Sequence, residues 1–148
     1  MEDKELIRQI QNGQKEYLNE IAARYYDDIY YFCVYQTGNR EDAYDLTQET
    51  FLRFIRYVDN YRCRNLKGYL LTIAMNLCRT YFHESGRERK EQEFIADYHN
   101  TDLLEQTQIL SEALLKLPAV QREAVLLHHF YGYKNREIAR MQRLSVQR

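Results

Sequence analysis

The chain lacks tryptophan altogether, and its 148 residues include one proline and five glycines. Glycines this few and this scattered exclude a phosphate-cradling loop. Three cysteines, Cys33, Cys63 and Cys78, form no C-x-x-C pair and cannot all be paired with one another. That speaks against a disulfide framework and fits a reduced, cytoplasmic setting. There is no uncharged apolar run of about 18 residues, so no spanning segment is expected, and no signal-peptide pattern opens the chain. The four histidines, His83, His99, His128 and His129, share no metal-type spacing. No serine or cysteine sits in a recognisable nucleophile motif. Neither a catalytic residue, a metal site nor a cofactor is implied.

What is present is apolar residue at helical spacing. At 45% apolar content the chain can bury a core, and its length suits one common domain or two small ones. Net charge is only −1, but the charges are unevenly placed. Residues 1–60 hold 7 basic and 12 acidic side chains, residues 61–90 hold 7 and 2, and residues 91–148 hold 7 and 8. A basic centre between acidic flanks suggests a local polyanion site; chance clustering with local pairing is the plain alternative.

The organising stretch runs from Asn65 to His83. At roughly 100° per residue, Leu66, Leu70, Ile73, Ala74, Leu77 and Tyr81 fall on one side of a helix, and Thr72, Asn76, Arg79 and His83 on the other. Before it, helices are expected from Leu6 to Tyr17 with a break at Asn12-Gly13, from Leu18 to Gln36, and from Glu41 to Val58. The last should bury Tyr44, Thr47, Phe51, Phe54, Ile55 and Val58, and present Asp42, Asp45, Glu49, Arg53 and Arg56. Asn60 to Asn65 reads as a loop. Residues 87–107 read as a polar linker. Then come Gln108–Lys116, a stop at Leu117-Pro118, and Ala119–Phe130 with Val120, Ala124, Leu127 and Phe130 inward. A turn over Tyr131–Lys134 and a helix from Arg136 to about Gln142, capped by Asn135, follow. No strand pattern or repeat occurs. The chain is expected to be all-α: two small helical domains over 1–86 and 108–148 joined by the linker, the second a helix–turn–helix.

Two constellations could carry chemistry. Tyr61, Arg62, Cys63, Arg64 and Asn65, next to Asn76 and Arg79, combine an aromatic, cations and amides. Single-stranded nucleic acid is held by such groups, and a base drawn from the stack needs amides for its pairing edge. The plain alternative is an exposed loop with solvated arginines. Asp42, Asp45 and Glu49 share a helix face, which could dock a basic partner or hold a metal. By pattern alone it reads as a solvated face with a Glu49–Arg53 pair.

Taken together, Asp42-Ala43-Tyr44-Asp45-Leu46-Thr47-Gln48-Glu49-Thr50-Phe51, Gly68-Tyr69-Leu70-Leu71-Thr72-Ile73-Ala74-Met75-Asn76, Leu114 to Pro118, Arg122-Glu123 and Glu137-Ile138-Ala139 resemble, in that order, the bacterial extracytoplasmic-function sigma factors. The resemblance spans roughly Leu6 to Leu144. It implies a first domain that docks on core RNA polymerase and melts promoter DNA, and a second that reads an upstream element. It implies polymerase contacts at Asp42, Asp45, Leu46, Gln48, Glu49 and Phe51. It implies DNA contacts at Tyr61, Arg62, Arg64, Asn65, Lys67, Asn76 and Arg79, with a flipped base held by the loop from Tyr61 to Asn65. It implies no reaction catalysed by the chain itself, and an anti-sigma factor as a further partner.

One departure stands at the end. Where the family has a Leu-Gly pair, this chain has Gln142-Arg143, and arginine does not suit a turn needing positive φ. Only Ser145, Gln147 and Arg148 stand where upstream-reading residues would be, and so few residues cannot sustain a helix. The second domain is therefore expected to be a truncated helix–turn–helix. Two other functions compete with initiation. One is a sigma-like interaction protein that binds polymerase or an anti-sigma factor without starting transcription. The other is a small metal-dependent hydrolase using Asp42, Asp45 and Glu49.

Overall fold

Helix boundaries follow the local signals. Asn12-Gly13 ends the first helix, and Gly38, with φ of 69°, ends the second in a left-handed C-cap that closes on Val34 O. The next residue, Asn39, opens the third helix by accepting the Asp42 N–H at 2.9 Å. A computed structural model describes residues 1–62, 64–85 and 109–146. The linker expected over 87–107 lies outside them, as do Cys63, Gln147 and Arg148.

In order the elements are α1 (Asp3–Gln11), α2 (Tyr17–Thr37), α3 (Arg40–Tyr57), a 3-10 turn (Val58–Asn60) and α4 (Leu66–Ser85). Residues 109–115 form α5. Then come α6 (Ala119–His129) and α7 (Asn135–Val146). The fold is all-α, with no strand among the described residues. Helix α4 is the hub. It packs against α2 and α3, and on another side against α7.

That placement changes the expected faces of α4. Leu70, Leu71, Ala74, Met75 and Cys78 are fully buried, and so is nearly all of Thr72. The Thr72 hydroxyl donates to Gly68 O at 2.8 Å, which satisfies it inside the core. From Leu70 to Met75 the helix has no solvent face, while Tyr81 is only half-buried. A single-face reading fails here because helices pack on α4 from more than one direction.

Three further expectations are corrected. Helix α3 buries Ala43, Thr47, Thr50, Phe51 and Phe54, whereas Tyr44 and Ile55 are exposed. Helix α6 exposes Val120 and Phe130 and buries Ala119, Arg122, Glu123, Leu126 and Leu127. Helix α7 does not stop near Gln142 but continues to Val146. With arginine in place of glycine at 143, nothing there breaks the helix. Its start is fixed by Glu137, whose carboxylate accepts the Lys134 N–H at 2.8 Å, rather than by Asn135.

Candidate docking and nucleic-acid interface

Asn39 and Gly38 set the entry of α3, and its buried stripe anchors it to α2 and α4. The opposite side is left bare. Tyr44, Leu52 and Ile55 are 51%, 54% and 44% exposed, and at helical spacing they line up with exposed Gln48. Asp45, exposed, and Glu49, half-buried, border that stripe; Glu49 pairs with Arg53 at 3.3 Å. Of the expected docking residues, Asp45 and Gln48 are open to a partner, and Leu46 is half-buried. Asp42 accepts the Tyr81 hydroxyl, and Phe51 stacks on Tyr26 inside the core. Of these, Tyr44 and Ile55 are expected inward on a single-face reading. The missed signal is that α3 carries two apolar stripes. Among the described residues, no three His, Cys, Asp or Glu side chains gather as a metal would need.

The loop before α4 is built differently from its expected form. The Tyr61 ring is buried edge-on to Tyr69, with centroids 4.9 Å apart, and also to Phe54. Its carbonyl accepts from Gln11 Nε2 at 3.1 Å, which ties the loop to α1. Tyr61 is thus a core anchor here, not a ring offered for stacking. Asn65 is the N-cap of α4, its Oδ1 accepting the Gly68 N–H at 3.0 Å. Arg62 and Arg64 are exposed. With Lys4, Arg8 and Asp3 they line an open cleft of about 770 Å³ between α1 and the loop. Arg8 is partly committed, its guanidinium hydrogen-bonded to Glu5. Asn76 is half-buried on α4.

The remaining expected DNA contacts face the C-terminal helices. Arg79 grips Glu123 with two bonds of 2.9 and 2.6 Å. Lys67 lies 3.8 Å from Asp28 and 5.9 Å from the centre of the Tyr131 ring. Asn65 Nδ2 donates to Tyr133 Oη at 3.4 Å. Burial pushes the Tyr131 hydroxyl above the ordinary phenol range, helped by the nearby Asp28 charge. Burial likewise raises Tyr133, against the opposing bond from Asn65. Beneath this seam, the hydrogen bond to Cys33 and then burial hold the Cys78 thiol well above its usual range. Ser145 lies within α7.

Residues 21–88 match the family model described as Sigma-70 region 2, and residues 107–148 match the one described as Sigma-70, region 4. The first stretch carries α2 to α4 and the second α5 to α7. Over 149 aligned residues the chain is 30% identical to the "ECF RNA polymerase sigma factor BldN" of Streptomyces coelicolor, spanning 93% of this chain and 56% of that protein. The chain belongs to the extracytoplasmic-function (ECF) sigma factors. It is also 26% identical to the "ECF RNA polymerase sigma factor SigM" of Bacillus subtilis, over 86% of this chain and 83% of the other. A solved RsbN–BldN complex superposes with a TM-score of 0.48 at 25% identity, over 95% of this chain and 94% of that one, too loosely to carry weight. As a family, ECF sigma factors act in transcription initiation through helical DNA-binding domains. No described helix of this chain is long and apolar enough to cross a membrane.

Proposed function

We propose that this chain is an RNA polymerase sigma factor that docks on core polymerase through α3 and holds the melted non-template strand against the loop and α4. The observation that carries the reading is the bare stripe of Tyr44, Gln48, Leu52 and Ile55, bordered by Asp45 and Glu49, on a helix anchored by its other face. Burying one such apolar side chain against a partner contributes about 1.5–3 kcal/mol. The acidic border steers a basic partner surface and fixes its register.

On this reading the chain is divided into a docking and melting domain over 1–86, a linker over 87–107, and an upstream-reading domain over 108–148. It works in the cytoplasm and catalyses no reaction of its own. Arg62 and Arg64 on the rim of the basic cleft hold strand phosphates. The Asn65 amide nitrogen, which bonds Tyr133 at 3.4 Å here, donates to a base edge once that bond opens, and Asn76 carries a second amide on α4. Docking energy offsets the few kcal/mol needed to unstack that base. An anti-sigma factor competing for the same surfaces completes the partner set.

The test is transcription in vitro with purified core polymerase and a library of promoter fragments. Promoter-dependent transcripts that require the added chain support the reading. Stable polymerase binding without any transcript selects the second reading, an interaction protein that occupies polymerase without initiating. That reading is favoured by one observation, the engagement of Asn65, Lys67 and Arg79 by the chain's own side chains.

A further inference from the structure

Helix α1 lies before the stretch from 21 to 88 that matches Sigma-70 region 2, yet its last residue reaches the loop that carries the strand arginines. Gln11 Nε2 donates to Val58 O at 2.9 Å and to Tyr61 O at 3.1 Å, across 47 and 50 positions of sequence. The two hydrogens of one amide nitrogen thus go to two carbonyls of the same turn. The peptide plane that holds the Tyr61 carbonyl also holds the N–H and Cα of Arg62. Fixing the direction of that oxygen therefore sets where the Arg62 side chain starts. Val58 O also accepts the Tyr61 N–H at 3.1 Å, so Gln11 holds both ends of the turn.

The helix that aims Gln11 is itself well held. Leu6, Ile7 and Ile10 are buried, Asp3 pairs with Arg24 at 2.7 Å, and Asp3 accepts the Tyr25 hydroxyl. Lys15, just past the Asn12-Gly13 break, adds a second tie to the turn, its Nζ 3.1 Å from Asp59 Oδ1. At the far end of the loop stands the Asn65 cap of α4. Arg62 and Arg64 thus lie between two fixed points, exposed on the rim of the cleft that α1 shares. The Tyr61 ring is secured by Tyr69 and Phe54. Gln11, an exposed residue, secures the backbone instead.

We propose that Gln11 is a positioning residue for strand binding: by holding the Val58 and Tyr61 carbonyls it presets the backbone from which Arg62 and Arg64 reach phosphate. The inference rests on the reading of this loop as a nucleic-acid surface. A backbone fixed beforehand need not be ordered at the moment of contact, and for one residue that entropy corresponds to about tenfold in affinity.

The test uses the full chain and a labelled single-stranded deoxyoligonucleotide, read by fluorescence anisotropy over a range of salt. Gln11→Met keeps the length and helix propensity of the side chain and removes the donor. It is expected to bind about tenfold more weakly than the parent at low salt. Its slope of log affinity against log salt becomes shallower by about 0.7 for each arginine that no longer finds a phosphate. A loss of stability alone would rescale affinity and leave the slope unmoved. Gln11→Ala removes the same donor through a smaller side chain and must show the same two changes. Gln9→Met, at a position whose amide bonds Glu5 within α1 at 3.0 Å, keeps the parent's affinity and slope. In an Arg62→Ala, Arg64→Ala background, Gln11→Met has no further effect. If the Gln11 variants stay helical and match the parent in affinity and slope, the proposal falls. A loss of full size in the background without the two arginines overturns the route through them. Co-elution with core polymerase is scored alongside. A parent that binds both oligonucleotide and polymerase, beside unchanged Gln11 variants, removes the positioning role alone. A parent that binds no oligonucleotide removes the strand reading, and the positioning role with it.

Discussion

Asn65 shows how much one side chain carries. Its Oδ1 caps α4 through the Gly68 N–H, and its amide nitrogen reaches Tyr133. A Cβ on Gly68 would lie 2.6 Å from that same nitrogen, so glycine is needed for the cap to close. Gly68→Ala should therefore cost about 1 kcal/mol in urea unfolding, the usual worth of an N-cap, and Asn65→Ala a similar amount. Because both act through one cap, the double variant should cost clearly less than the sum. Additive losses would contradict the shared cap. Tyr131 makes a pH prediction. Burial raises its folded pKa above the ordinary value of 10.0, so its neutral form is favoured in the fold. The stability this secures is fully present below the unfolded value near 10.0 and is lost as pH rises toward the raised folded value. Tyr131→Phe should show a shallower loss of stability above that pH in denaturant titrations. Parallel curves would mean that the hydroxyl is not buried in solution.

The helices themselves were largely legible, because their stops are chemical: Gly38 after α2, Asn39 at the start of α3, Pro118 before α6. What lies on each face was less legible. Apolar spacing assumes one buried side, and α4 has neighbours on several. The same assumption sent Tyr44 and Ile55 inward on α3, where they lie bare. Arg122 and Glu123 were hardest to place, since charged residues default to the surface. Their partners, Gln36 and Arg79, stand 86 and 44 positions away, beyond any local pattern. Of the candidate site, the exposure of Arg62 and Arg64 could be read from the loop itself, Asp45 and Gln48 were singled out as docking residues only by the family resemblance, and the burial of Tyr61 was not legible. Helix α7 yields its own prediction. Arg143→Gly restores a breaker where the helix now continues, and should cost about 1 kcal/mol and reduce far-ultraviolet helicity. Unchanged helicity would mean that the end of α7 is held by packing rather than by its sequence.

Over the whole molecule, the basic centre is shared between two uses. Arg62 and Arg64 are exposed, Lys67 is partly engaged, and Arg79 is bound to Glu123. Each phosphate neutralised on a single strand contributes about −0.7 to the slope of log affinity against log salt. With three cations available, the parent slope should be about −2, and Glu123→Gln should steepen it by about 0.7. Equal slopes for the two proteins would show that Arg79 gains no phosphate contact when the carboxylate charge is removed.

The central claim is that α3 is a polymerase-docking face. Size-exclusion chromatography of the full chain with core RNA polymerase, run beside an Asp45→Arg, Gln48→Ala double variant, tests it most directly. Both positions are exposed, so the variant should keep the parent's helical spectrum. Co-elution of the parent and its loss in the folded variant is the result predicted. A parent that does not co-elute, or a variant that co-elutes equally well, would contradict docking through α3.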